Sequence, residues 1–427
     1  MRDFRLTVAL ILIGLVAGVP AQASLTLDQI FELNRSGKWE QAAESAQNFL
    51  SAKPDKSIDQ LCQARYSLIY AETRLGRTAQ AQTSLKTYEE KCQSTALPEW
   101  LGSEIGKLRD ELAARKPFQP PVNDGFWQTS DPKTLGMNVT ALENHRRLCE
   151  RTGADACLVV RRGKIVQEFY SARYRIPMMA MSSTKSITGI LVGMLIDDGK
   201  IKDIDVPVCS YVSEWCAGAK AKVTLRHLLS MTSGLPRMWE DGVSGTNDKN
   251  PFVIKLPLAA EPGTKWDYSN EGVQLLSPIL DKAAGEPIQN YARKRLFEPL
   301  GMSETRLHLD SKNHAWTYAD METSARDFAR IGLLMLNKGI WNKQPIVSAK
   351  WVALSTESSQ KLNPGYGLLW WLYENPAGFG AQGYLDTNLY VFPKQDMIIV
   401  RMQSKPIEVQ TSYEKEALPL FTRFVQE

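Results

Sequence analysis

From residue 25 to about 115, apolar positions recur every three or four residues, and the spacing predicts five successive helices over 25–36, 39–52, 58–75, 79–92 and 99–115. Beyond residue 124 the pattern changes. Residues 157–161 and 164–170 flank Arg162-Gly163 and predict a β-hairpin. Residues 366–373 and 384–392 are strand-like, Pro393-Lys394-Gln395-Asp396 makes a turn, and 397–402 predicts a further strand. Between these ends the periodicity is mostly helical, including 224–230, 271–284, 288–297 and 324–337. Strands at both ends with helices between them predict an α+β domain, in which one antiparallel sheet assembled from the two ends packs against helices.

One helix differs from the rest at its start. Met181-Ser182-Ser183-Thr184-Lys185-Ser186 leads from small polar residues into an apolar stretch ending near Ile196. Ser182 or Ser183 can cap the first turn, and Lys185 follows Ser182 by three, so the two side chains share a helix face. That pairing suits a serine nucleophile, which is inert until a nearby base takes its proton. The same spacing occurs at Ser130/Lys133, Ser358/Lys361 and Ser412/Lys415. These lie in a proline-rich linker, a polar loop and a charged tail. Only Ser182 opens a helix apolar enough to bury its lysine and shift that lysine's protonation. Without further context, a capped helix with a solvated lysine explains the motif equally well.

Residues 1–23 read as a secretory signal. Arg2 and Arg5 precede an apolar run over 6–19, and Ala21-Gln22-Ala23 is an A-x-A cleavage site. No other segment predicts a membrane span, so the mature chain is expected to be periplasmic or secreted. In that setting six cysteines suggest disulfides, and sequence neighbours are the simplest pairs: Cys62–Cys92, Cys149–Cys157 and Cys209–Cys216. Scattered histidines and the lack of C-x-x-C argue against a metal site, and no cofactor motif is found. A length of 427 residues predicts two domains, and 43% hydrophobic with 23% charged residues describes an ordinary globular protein. A net charge of +4 without clustering gives no support for nucleic-acid binding.

Within the helical region, Gly37-Lys38-Trp39-Glu40-Gln41-Ala42 is echoed by Gly76-Arg77-Thr78-Ala79-Gln80-Ala81. A glycine turn followed by an alanine that lets helices approach resembles tetratricopeptide repeats, which implies a surface for a protein partner. A helical cap packed on the next domain is an equal alternative. Pro117, Pro120 and Pro121 mark a linker. The expected domains are therefore a signal peptide (1–23), a helical repeat-like domain (24–116), a linker (117–123) and an α+β domain (124–427).

The second domain resembles the class C β-lactamase-like serine hydrolases, a group that also holds D-alanyl-D-alanine carboxypeptidases, esterases and 6-aminohexanoate-dimer hydrolases. The resemblance rests on ordered pieces: the Gly163-Lys164-Ile165-Val166 hairpin, Ser182 to Lys185, and Val223-Thr224-Leu225-Arg226-His227-Leu228-Leu229-Ser230-Met231-Thr232-Ser233-Gly234-Leu235. Pro262-Gly263-Thr264-Lys265-Trp266-Asp267-Tyr268-Ser269-Asn270 resembles the Y-x-N motif with its lead-in, and Pro299-Leu300-Gly301-Met302 also fits. A second Y-x-N match, Tyr373-Glu374-Asn375, sits beside Pro376 between strands and reads as a loop.

The resemblance implies an antiparallel sheet with an all-helical insertion, Ser182 as nucleophile, Lys185 and Tyr268 in proton transfer, and Asn270 holding Lys185 and a substrate carbonyl. Where class C enzymes carry Lys-Thr-Gly on the sheet edge, this chain has Gly380-Ala381-Gln382-Gly383-Tyr384, with neither Lys nor His. Backbone N–H groups of Ser182 and Tyr384 are expected to form the oxyanion hole, and Gln382 and Gly383 to meet substrate. Arg401 is a possible replacement cation. Met231, Met238, Trp239, Trp370 and Trp371 read as core or cleft wall, and His227 as structural. The expected function is cleavage of a small ester, amide or peptide with weak or absent β-lactamase activity. The alternatives are a carboxypeptidase or β-lactamase, and a non-catalytic envelope binding protein.

Overall fold

The computed structural model describes residues 25–52, 56–75, 78–92, 98–114, 125–238, 242–406 and 413–425. The signal-like stretch 1–23, the linker 117–123, Gly76, Arg77, Ser412 and Trp239 fall outside them. The chain divides into two compact units, Met1–Lys116 and Pro117–Glu427.

The first unit has five helices among its described residues: α1 (Leu27–Arg35), α2 (Trp39–Ser51), α3 (Ile58–Arg74), α4 (Thr78–Cys92) and α5 (Glu99–Ala114). Thr26 and Ser57 open α1 and α3 through capping boxes with Gln29 and Gln60, each pair satisfying two N–H groups that the helix start leaves free. α3 is the shared partner. Ala64, Leu68 and Ala71 pack with Ile30, Ala42, Ala43, Ala46 and Phe49, while Cys62, Tyr66 and Ile69 pack with side chains of α4 and α5. Cys62 and Cys92 join α3 to α4 across a Cα separation of 6.0 Å.

In the second unit six strands form one antiparallel sheet. Two come early, β1 (Ala156–Arg161) and β2 (Lys164–Tyr170). Two short pairs follow outside the main sheet, β3 (Met178–Met179) with β4 (Glu322–Thr323) and β5 (Ile340–Trp341) with β6 (Gln344–Pro345). Four come late, β7 (Trp371–Glu374), β8 (Ala377–Ala381), β9 (Asn388–Phe392) and β10 (Met397–Met402). The order is β2-β1-β10-β9-β8-β7, so the first and last segments of the unit meet where β1 pairs with β10.

Alternation gives the sheet two apolar faces. Cys157, Val159, Tyr390, Ile399 and Phe392 face a small core with α6 (Val139–Arg151) and the C-terminal helix. Leu158, Val160, Leu389, Val391, Ile398 and Val400 face the main core. That core holds α7 (Thr184–Asp197), α8 (Leu225–Leu229), α9 (Lys249–Lys255), α10 (Asn270–Gln274), α11 (Leu276–Ala284), α12 (Ile288–Ala292), α13 (Ala325–Leu336) and α14 (Ala349–Ser355). The last helix among the described residues, α15 (Tyr413–Phe421), packs on the smaller core. Cys149–Cys157 links α6 to β1, and Cys209–Cys216 closes a short loop.

The strand expectations need three corrections. Residues 366–370 do not extend: Gly367 N–H returns to Trp370 O, and Leu369 is left-handed at φ 64°. The small-residue strand β8 takes the place next to β9, and Gly380 therefore lies on an interior strand, with β7 at the edge. Residues 384–386 form a turn, so the strand expected over 384–392 starts at Asn388.

Candidate active site

α7 is apolar nearly all round, which drives it into the core, and its few polar groups fasten the surrounding loops. Ser186 Oγ donates to Leu369 O, Thr188 Oγ to Thr317 O, and Thr184 Oγ to Met181 O while receiving Met321 N–H. Just before α7, the turn Met181–Ser183 is entered through a left-handed Met181 at φ 50°. A non-glycine residue held there implies surroundings that over-determine it. The helix is not capped by a serine side chain as expected; Ser183 Oγ instead donates to Thr387 O at 2.6 Å.

Ser182 is half-buried, with its Oγ 3.1 Å from Lys185 Nζ. Lys185 is almost completely buried and donates to Tyr318 O at 2.7 Å. Its Nζ also lies 4.8 Å from the Tyr268 ring centroid. Burial lowers the lysine's pKa below the usual value, against the opposing pull of Tyr268, Glu271 and Asp320.

Tyr268 is held from both sides. Asp267 N–H donates to Met231 O just before it, and Ser269 caps α10 just after it by accepting Gly272 N–H. Its ring stacks on Trp371 at 6.1 Å, and Trp266 and Tyr366 complete an aromatic wall. Asn270 opens α10, and its Oδ1 is buried without a hydrogen-bond partner among the described residues. The expected Asn270–Lys185 bond is absent; the lysine donates to Ser182 Oγ and Tyr318 O.

The backbone of Gly383 abuts the Met181–Ser183 turn. A Cβ there would stand 2.8 Å from the carbonyl oxygens of Ala180 and Thr387 and 3.0 Å from Met181 Cβ. Gly383 N–H donates to Asn388 Oδ1. The N–H groups of Ser182 and Tyr384 donate to nothing among the described residues. The Tyr384 side chain is exposed. Gln382 departs from expectation: it alternates onto the opposite sheet face, where its amide donates to Tyr373 Oη and Glu414 Oε2. Tyr373, from the second Y-x-N match, is thereby accounted for away from Ser182. Arg401 is likewise on that face, buried, so it does not replace the missing lysine. Met231 and Trp370 are core, Met238 is half-buried, and His227 Nδ1 accepts Thr224 N–H as a structural group.

Sequence reasoning missed Tyr318 and Asp320. Tyr318 acts through its carbonyl, which no side-chain pattern encodes. Asp320 is left-handed at φ 62°, and its N–H donates to Met181 O. Its carboxylate makes no hydrogen bond or ion pair among the described residues, and burial raises its pKa. Among the described residues, two clusters bring His, Cys or Asp side chains within metal-sharing distance: His145 with Cys149 and Cys157, and Asp248 with Asp310 and His314. In one, Cys149 and Cys157 are tied to each other; in the other, Asp310 is occupied by the N–H groups of Lys249, Lys312 and His314.

A family model described as Beta-lactamase matches residues 145–418, leaving the five helices of the first unit outside the match. The 6-aminohexanoate-dimer hydrolase of Paenarthrobacter ureafaciens is 26% identical over 350 residues, 72% of this chain and 85% of that protein. Esterase EstB of Burkholderia gladioli is 26% identical over 144 residues, 29% of this chain and 36% of that protein. Among solved structures, a penicillin binding protein from Bacillus halodurans superposes with a TM-score of 0.54 at 15% identity, covering 65% of this chain and 98% of that one.

Proposed function

This chain belongs to the beta-lactamase family, and from that premise we propose that it is an exported serine hydrolase cleaving an ester or amide bond in a small substrate through an acyl-enzyme on Ser182. The observation that carries the reading is the buried Lys185 Nζ, 3.1 Å from Ser182 Oγ and depressed in pKa. A neutral amine there accepts the serine proton as Oγ attacks the carbonyl. The tetrahedral oxyanion takes hydrogen bonds from the free N–H groups of Ser182 and Tyr384. Collapse then expels the alcohol or amine, which takes its proton from Tyr268 or Lys185. Water, deprotonated by the same pair, attacks the acyl-enzyme and frees the acid, restoring Ser182.

The 6-aminohexanoate-dimer hydrolase and esterase among the relatives favour amide or ester chemistry. Export is supported by the A-x-A site at 21–23 and by three cysteine pairs at disulfide distance. The test is labelling of the purified protein with a fluorophosphonate, followed by peptide mass spectrometry. The adduct is expected on Ser182 and absent in Ser182→Ala; an adduct that survives the substitution refutes the assignment.

A further inference from the structure

We infer that Arg401 is a positioning residue for the oxyanion loop, acting from the opposite side of the sheet; this rests on the hydrolase reading above. The loop in question joins β8 to β9 and carries Gly383 and Tyr384. Directly after Tyr384 come two consecutive left-handed residues that are not glycine, Leu385 at φ 62° and Asp386 at φ 53°. Side chains resist that backbone region, so it persists only where other contacts impose it.

Arg401 supplies those contacts. One guanidinium nitrogen, Nη1, donates to Leu385 O at 2.6 Å and to Asp386 O at 3.1 Å. The other, Nη2, donates to Thr152 O at 2.8 Å, to Thr152 Oγ1 at 3.3 Å and to Gln403 Oε1 at 2.6 Å. The group is buried and lies 4.6 Å from the Tyr413 ring centroid. A planar fork of donors can grip two carbonyls and a fixed anchor at once, which a lysine ammonium on a flexible stem does less well. The loop is therefore clamped between two structures. Ser183 Oγ, from the turn that carries the nucleophile, holds Thr387 O on one side. Arg401, anchored to the end of α6 at Thr152, holds the preceding two carbonyls on the other. An oxyanion donor stabilises charge only when held in place before the reaction. Arg401 thus touches no reacting atom, yet it sets the direction of the Tyr384 N–H.

The test compares Arg401→Met and Arg401→Lys with the wild type in the full chain, with active sites counted by fluorophosphonate titration to completion. On p-nitrophenyl acetate, Arg401→Met is expected to lower kcat about 10- to 100-fold, less than complete loss of an oxyanion donor, with KM within about threefold. Affinity for a phenylboronate, whose tetrahedral serine adduct places an oxygen in the hole, should weaken in proportion. Arg401→Lys should fall between, since it keeps the buried charge and can still hold one carbonyl. Values of kcat and boronate affinity within about threefold of wild type in a folded Arg401→Met, or a loss confined to KM, overturn the inference. Should Arg401→Met fail to fold, Arg401→Lys decides: an unchanged kcat refutes the role. A wild-type protein that does not label at Ser182 fails for a different reason, because it sinks the hydrolase reading itself.

Discussion

Lys185 is held by opposing influences, and in the mechanism proposed above their balance sets the pH at which Ser182 is activated. Burial lowers its pKa, while Tyr268, Glu271 and Asp320 favour its charged form. Lys185→Ala is expected to cost roughly 10²- to 10⁴-fold in kcat, the usual contribution of a positioned base. Asp320→Asn gives a sharper test. Removing that negative charge takes away support for the ammonium, so the neutral base persists to lower pH. The acid limb of kcat/KM should move downward, measured on a neutral ester from pH 5 to 9; an unmoved or upward-shifted limb would separate Asp320 from the lysine. Ser182, Lys185 and Tyr268 were legible because side-chain chemistry at fixed spacing is written in the sequence. Tyr318 was not, because the lysine uses its carbonyl, which every residue possesses.

Among the elements, α6 and α15 are joined through one buried histidine. His145 Nδ1 lies 3.0 Å from Gln167 Oε1, and since the Gln167 amide nitrogen donates to Leu142 O, the histidine must donate there. Its Nε2 therefore accepts the Tyr413 hydroxyl at 2.7 Å, which leaves no place for a second proton. Burial accordingly lowers its pKa to about 4 from an ordinary 6.5. The unfolded chain binds this proton more readily, so stability is intact above pH 6.5 and is lost as pH falls toward 4. The shift corresponds to about 3 kcal/mol. Urea midpoints at pH 7.5 and 4.5 should fall by more in wild type than in His145→Gln; equal falls would contradict the account. The same scale shows why strands were misplaced. Aromatic residues at 366–370 promised a strand, but they are apolar because a folded-back turn is buried against Ser355 and Leu229. β8 is Ala-Gly-Phe-Gly-Ala, weak in strand propensity. Its glycines are demanded by close approach, since a Cβ at Gly378 would stand 2.3 Å from Val391 O and one at Gly380 2.7 Å from Leu389 O.

Across the whole molecule, the resemblance carried the second unit from its hairpin to its last strands because the motifs occur in chain order. What it left open was the face on which each late residue points, and that decides substrate class. A one-residue step along a strand changes faces, and this removes Gln382 and Arg401 from the side that Ser182 occupies. Gly380–Tyr384 carries no cation, and Ala381 within it is buried and uncharged. A charge-assisted hydrogen bond to a substrate carboxylate contributes about 1.5–3 kcal/mol, or about 10- to 150-fold in specificity. Penicillins and cephalosporins, which carry such a carboxylate, gain nothing from Ala381. Small neutral esters and amides lose nothing by its lack of charge, and the half-buried Trp266 and Trp371 beside Tyr268 offer them apolar contact. The purified protein is therefore expected to hydrolyse p-nitrophenyl acetate and butyrate with a higher kcat/KM than nitrocefin. Adding the charge supplies the converse: Ala381→Lys should raise nitrocefin turnover relative to the esters if the fold accepts the longer side chain. Nitrocefin hydrolysis exceeding that of both esters in the wild type would mean that another group meets the carboxylate, and the assignment of substrate class from this strand would be wrong.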